Sequence, residues 1–403
     1  MPSDEQCRSA LEGILDNLDS FHNAEYSASA TMLTLLPTIG SMLGAPSADT
    51  WLLLKLVPFA GVFGLLLSYG SPIRMGTGDT YQDSFTIVGK DQQDGEKDSL
   101  SGGDYKKDDL PERVSSAVQA NLMGNKAKLP ISQLAWSILV MFLLFAGAMT
   151  SMVVVELATI YATWCRMNWW FHLWYIALTI VAFAESYVNV PFRNYLTIYI
   201  TEEAPTGLPE VPHSPLGNTM SAHSVKQTLT TLPKGKKYGS ASYFSRNNHS
   251  RTIALVISKT HGVNEPAWAK NLRQGVQLFF KIGTLTIFVF GTSVLAAVVL
   301  LALPMAQMVL TLVVGSGAVG QFLIQKMADT VKKTGSSIHV IADSDEEAGA
   351  IVMRLLDDQV NGPKSFTMEV GDIVLARKAF VGRRNPWARR LLGLLAPPMK
   401  LDA

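Results

Sequence analysis

The apolar stretch LVVGSGAVGQFL, residues 312–323, carries Gly315, Gly317 and Gly320 at the GxGxxG spacing. In a strand–turn–helix that spacing clears room for a dinucleotide pyrophosphate, which then sits at the helix N-terminus. The flanks extend the pattern. VLTLVV (309–314) would form the first strand, QFLIQKMADTVKK the first helix and IHVIA (338–342) the second strand. Asp343 or Asp345 then follows at about the distance where an acidic residue meets a ribose hydroxyl. The same glycines have a second physical reading. Small residues three and four apart along an apolar helix let backbones approach closely inside a membrane. The supposed strand ends an uncharged block that begins near Ile282, and too little chain follows for a doubly wound sheet. The seam reading is preferred, with the dinucleotide site as its alternative.

Four ionisable residues fall inside or at the ends of apolar runs: Lys55, Glu156, His172 and Glu185. Such groups are costly in hydrocarbon and usually line a bundle interior. Glu156 and Glu185 could together form a polar pathway that relays protons or substrate. The plainer reading has Lys55 and His172 reaching nearby interfaces on their long or amphipathic side chains, with Glu156 marking the end of a span. No HExxH, nucleophile elbow, CxxC or Walker loop is present, so no catalytic residue is assigned. The seven histidines do not pair at ligand spacing within a span, so no metal site or cofactor is assigned either. Cys7 and Cys165 are too few and too far apart to imply a disulfide framework. Asn248-His249-Ser250 is the one N-glycosylation sequon, usable only if its loop faces a lumen.

These residues must be held by a largely apolar chain. Of 403 residues 48% are hydrophobic and 17% charged, against about 25% charged in an ordinary soluble domain. The apolar residues gather into long blocks, and about 20 in a row suffice to cross roughly 30 Å of hydrocarbon. Six candidate spans result: 27–45, 51–70, 134–164, 169–190, 282–303 and 305–324. Trp169, Trp170 and Trp174 open the fourth as an aromatic belt. As one helix, 282–324 would rise about 65 Å, roughly twice the hydrocarbon thickness, so Pro304 is expected to divide it.

The expected architecture is an all-α polytopic bundle of three hairpins, 27–70, 134–190 and 282–324. It carries an acidic tail (1–26), polar, largely disordered loops at 71–133 and 191–281, and a cytosolic tail at 325–403. Within that tail IHVIA reads as a strand and 344–358 as a helix with Ser344 as N-cap and Glu347 at the capping-box position. FTMEVGDIVL (366–375) reads as a second strand, and 385–398 as an interfacial or packed amphipathic helix. Six spans would put all but Lys55 and Arg166 of the 34 Lys and Arg residues on one side, hence both termini in the cytosol. The net charge of +1 supplies no field to recruit nucleic acid. The expected partners are the lipid bilayer and other membrane helices, a second copy included.

The stretch FHNAEYSASATMLTLLPTIGSMLG (21–44), followed by LLLSYGSP (65–72), resembles the opening of a large group of uncharacterised multi-pass membrane proteins of filamentous fungi. VVGSGAVGQFLIQKM (313–327) with IHVIADSDEEA (338–348) is similar to the end of that group's last apolar segment and its polar tail. The resemblance covers about a third of the chain. It implies an integral membrane location and no catalytic residues. Two functional classes stand: a carrier, channel or scaffold without catalysis, and a membrane-anchored dinucleotide-binding enzyme.

Overall fold

The computed structural model describes residues 4–42, 47–69, 110–124, 129–161, 169–188, 192–202, 251–260, 267–342, 344–376, 379–383 and 386–396. Helices α1 (Asp4–Asp16), α2 (Ser20–Met42), α3 (Ser47–Leu56) and α4 (Pro58–Leu67) open the chain. They are followed by α5 (Leu110–Met123), α6 (Ile131–Ala158), β1 (Ile160–Tyr161) and α7 (Trp170–Val188). Strands β2 (Phe192–Thr201) and β3 (Thr252–Thr260) precede α8 (Ala267–Ala296), β4 (Val298–Val299) and α9 (Leu303–Lys333). The chain closes with β5 (Ser337–Ala342), α10 (Asp345–Asn361), β6 (Thr367–Val370), β7 (Ile373–Ala376), β8 (Ala379–Arg383) and α11 (Pro386–Leu392).

Among the described residues three helices are long and apolar enough to cross a membrane: α6, the Gln274–Ala296 part of α8, and α9. The expectation of six spans is corrected accordingly. Segment 51–70 breaks because Pro58 has no N–H and starts a new helix directly after Val57. The two ten-residue pieces, α3 and α4, each rise about 15 Å, half the hydrocarbon thickness. Residues 27–42 of segment 27–45 lie within α2, where small and hydroxylated residues dilute the apolar run and Pro37 sits inside the helix. In α7, Trp170–Val188, the apolar run with described side chains is Trp170–Ala184. The block 282–324 folds back as expected. Pro304 stands in the first turn of α9, Leu300 turns the chain with φ 60°, and β4 pairs antiparallel with β1.

The polar segments supply more than loops. A six-stranded sheet runs in the order β5-β3-β2-β6-β7-β8. Two of these strands, β2 and β3, come from 191–281, and α5 comes from 71–133; the disorder expected there does not extend to them. FRNYLTIYIT and TIALVISKT are rich in β-branched and aromatic residues, which suit a pleated, half-buried surface. The pair β3–β5 is parallel and the other neighbours are antiparallel. FTMEVGDIVL is a hairpin rather than one strand, since Gly371 at φ 65° turns β6 into β7. In α10 the cap is as expected: the Ser344 hydroxyl accepts from the Glu347 backbone N–H at 3.1 Å.

Three apolar cores tie these parts together. Helices α5 and α10 cover one face of the sheet, through Val114, Val118, Ile351 and Leu355 against Ile198, Leu255 and Ile338. The opposite face joins Tyr199, Ala254 and Val256 to Leu52, Leu53 and Leu56 of α3 and to Met327 and Val331 of α9. The third core fills the bundle with Leu33, Phe171, Trp174, Tyr175 and Val309. Helix α2 starts at the end of the bundle where α9 starts, because Glu25 Oε1 accepts from the Leu303 backbone N–H at 3.1 Å. The sheet lies where α9 finishes. The start of α2 and the C-terminal sheet are therefore at opposite ends of the bundle. Cys7 is disulfide-bonded.

Candidate functional site

Glu156 sits near the end of α6 and is 8% exposed. One carboxylate oxygen accepts the His172 backbone N–H at 2.9 Å, and the other lies 2.5 Å from His172 Nδ1. The first N–H groups of a helix have no partner within it and attract negative charge. Glu156 thus caps α7 and fixes the imidazole with the same carboxylate. His172, its side chain 20% exposed, is the other half of a clamp beside β1. Glu185 is on α7, about 20 Å further along the helix, and its side chain falls outside the described residues. The Lys55 ammonium rests 4.7 Å from the centre of the Trp51 ring on its own helix.

The three glycines lie in the interior of α9, one helix from Leu303 to Lys333. Residues 309–314 are helical, so the strand–turn–helix required by a pyrophosphate cradle is not formed there. Gly317 and Gly320 are buried and face α4 and the residues after it. A Cβ at Gly317 would stand 3.3 Å from the Leu67 carbonyl oxygen and from Tyr69 Cδ2, and one at Gly320 would stand 3.0 Å from Leu67 Cβ. Nothing lies within 4 Å of a Cβ at Gly315. Ser316 adds a polar link to the seam, its hydroxyl 2.9 Å from the Tyr69 hydroxyl. Tyr175 on α7 donates to the Leu66 carbonyl at 2.8 Å. Asp343 falls outside the described residues, and Asp345 opens α10. Asn248 and Cys165 also fall outside them.

Sequence reasoning missed two other close approaches. A Cβ at Gly61 would overlap the Leu54 backbone, and one at Gly291 would overlap the Trp174 indole. Neither glycine belongs to a recognisable motif; each is small because of a partner distant in sequence or across a break.

The buried polar group at the sheet was missed as well. Arg389 of α11 donates to Glu369 Oε2 at 2.6 Å and to the carbonyls of Gly393 and Ala396. Its guanidinium also lies 4.6 Å from the Tyr199 ring centre. The side chains of Arg389 and Glu369 are only 4% and 3% exposed. Alternation in TMEV was the available signal. It turns Glu369 away from the face of Met368, toward the bundle. On the same face His339 is buried in β5, and that burial pushes its imidazole down to about 4.

No group of three or more His, Cys, Asp or Glu side chains suited to a metal occurs among the described residues. No protein-family profile, curated protein or solved structure matches the chain.

Proposed function

We propose that this chain is an integral, multi-pass membrane protein that works as a scaffold without catalysis, holding a cytosolic α/β platform rigidly against the bilayer. The continuity of α9 carries the reading. One 31-residue helix packs on α4 through glycines within the bundle and ends in the same core as the sheet. A platform on a flexible tether would not share a core with the helices. The filled interior, with Phe171, Trp174 and Tyr175 at most 4% exposed, supports a scaffold over a wide channel. The resemblance to the fungal multi-pass group supports the location. A narrow carrier path past Glu156 and His172 is the second reading, favoured by that buried acid–base pair alone.

Two measurements separate these. Alkaline carbonate extraction should leave the protein in the membrane pellet; release into the supernatant would remove the integral reading. Proteoliposomes loaded with a pH-sensitive dye should dissipate an imposed gradient no faster than empty vesicles. Protein-dependent flux abolished by Glu156→Gln would replace the scaffold by a carrier.

A further inference from the structure

A cavity of about 370 Å³ opens between the start of α6 and the last turns of α9, at the sheet end of the bundle. Its polar lining includes Ser132, Gln133, Ser137, Lys326 and Thr330, and Trp136 forms one wall. Leu134 and Met327 close its floor and are 2% exposed each. The Lys326 side chain is exposed, and no described carboxylate pairs with it. Above the cavity α6 presents Leu139, Phe142 and Leu143 outward, 44–57% exposed. Trp136, at 65% exposed, stands between the polar cup and that apolar strip.

We propose that this cavity binds the phosphate-bearing headgroup of an anionic glycerophospholipid. The inference rests on the reading of α6 and α9 as membrane-crossing helices. Where such helices leave the bilayer, a cation between them meets headgroup phosphates, and an indole marks the boundary between wet and apolar surface. Lys326 supplies the charge for the phosphate. The Ser132 hydroxyl and the Gln133 amide face the headgroup's glycerol or polyol. The acyl chains follow Leu139 and Phe142 along α6. The sheet end is also the end rich in lysine, the one expected to face the anionic cytosolic leaflet.

The test uses the full chain purified in neutral detergent, titrated with short-chain phosphatidylglycerol and, separately, with phosphatidylcholine of the same chain length. Binding is read by native mass spectrometry. Saturable retention of phosphatidylglycerol, at least about tenfold tighter than phosphatidylcholine, is expected. Lys326→Gln should lose that preference and Lys326→Arg should keep it, both with unchanged thermal unfolding, since the residue is exposed. Equal retention of the two lipids, or a Lys326→Gln variant that binds as wild type, would overturn the site. Displacement of the lipid by millimolar inorganic phosphate would identify a free-phosphate site and also overturn it. Carbonate extraction of the membranes before solubilisation tests the membrane reading independently, so the two failures are distinguishable.

Discussion

Glu156 and His172 carry the clearest prediction at the scale of single residues. Removing the carboxylate leaves the His172 N–H buried without its acceptor, at a cost of about 1–3 kcal/mol. Glu156→Ala should therefore lower the thermal unfolding temperature of the purified protein, while Glu156→Gln, which keeps an acceptor oxygen, should lower it less. If the two variants unfold together with wild type, the cap contributes nothing. His339 gives a pH dependence. Its imidazole titrates near 4 in the folded chain against an ordinary 6.5, so it is neutral when folded at neutral pH. Below 6.5 the unfolded chain takes up a proton that the folded chain refuses. Stability is full above that pH and falls by about 1.4 kcal/mol per unit as pH drops toward 4. Comparison of wild type with His339→Leu between pH 7 and 4.5 should show the steeper loss in wild type; parallel curves would refute the assignment.

At the scale of elements the helix seams were partly legible. The spacing of Gly315, Gly317 and Gly320 announced a close approach, and two of the three make one. What sequence could not say was which helix approaches, because α4 exists only after Pro58 has broken an apparent span. Gly317→Ala should be accepted with a shift of a few tenths of an ångström, whereas Gly317→Leu should not fold in quantity. Gly291→Ala should cost about 1–3 kcal/mol as overpacking, because the indole it meets is 1% exposed and has nowhere to go. Folded yield by size-exclusion chromatography ranks the three; a Gly317→Leu variant with wild-type yield would remove the seam. The strands β2 and β3 were legible in their own residues. They were obscured by the polar composition of the segment around them, because composition averages over a window and a nine-residue strand does not survive the averaging. The Arg389–Glu369 pair was not legible, since a long-range ion pair has no local spacing. Arg389→Leu leaves a buried carboxylate alone and should destabilise by about 3–5 kcal/mol. Adding Glu369→Leu to it should recover most of the loss, as measured by denaturant unfolding.

At the scale of the whole molecule the arrangement of the ends decides which compartment each face meets. The six-span reading made an even number of crossings and placed both ends together. The Glu25–Leu303 contact separates them: α1 and the start of α2 belong to the β1–β4 end, and the sheet to the other. Two independent features then orient the molecule. Lys326, Lys332 and Lys333 close α9 at the sheet end, and cytosolic flanks are enriched in such residues. Cys7 lies before α2 and is disulfide-bonded, a state the cytosol reduces and secretory compartments preserve. The chain holds one other cysteine, Cys165, which falls between β1 and α7 in the sequence. The N-terminus is thus expected outside the cytosol and the sheet within it. An Asn-Gly-Thr sequon placed ahead of Met1 should acquire an endoglycosidase-sensitive glycan, while Asn248 should stay bare. Under denaturing, non-reducing conditions neither wild-type cysteine should take a maleimide; Cys7→Ser should take one, on the thiol it releases. A glycan on Asn248, or an N-terminal sequon that stays unmodified in protein protected from external protease, would reverse the orientation and move Lys326 to the opposite leaflet.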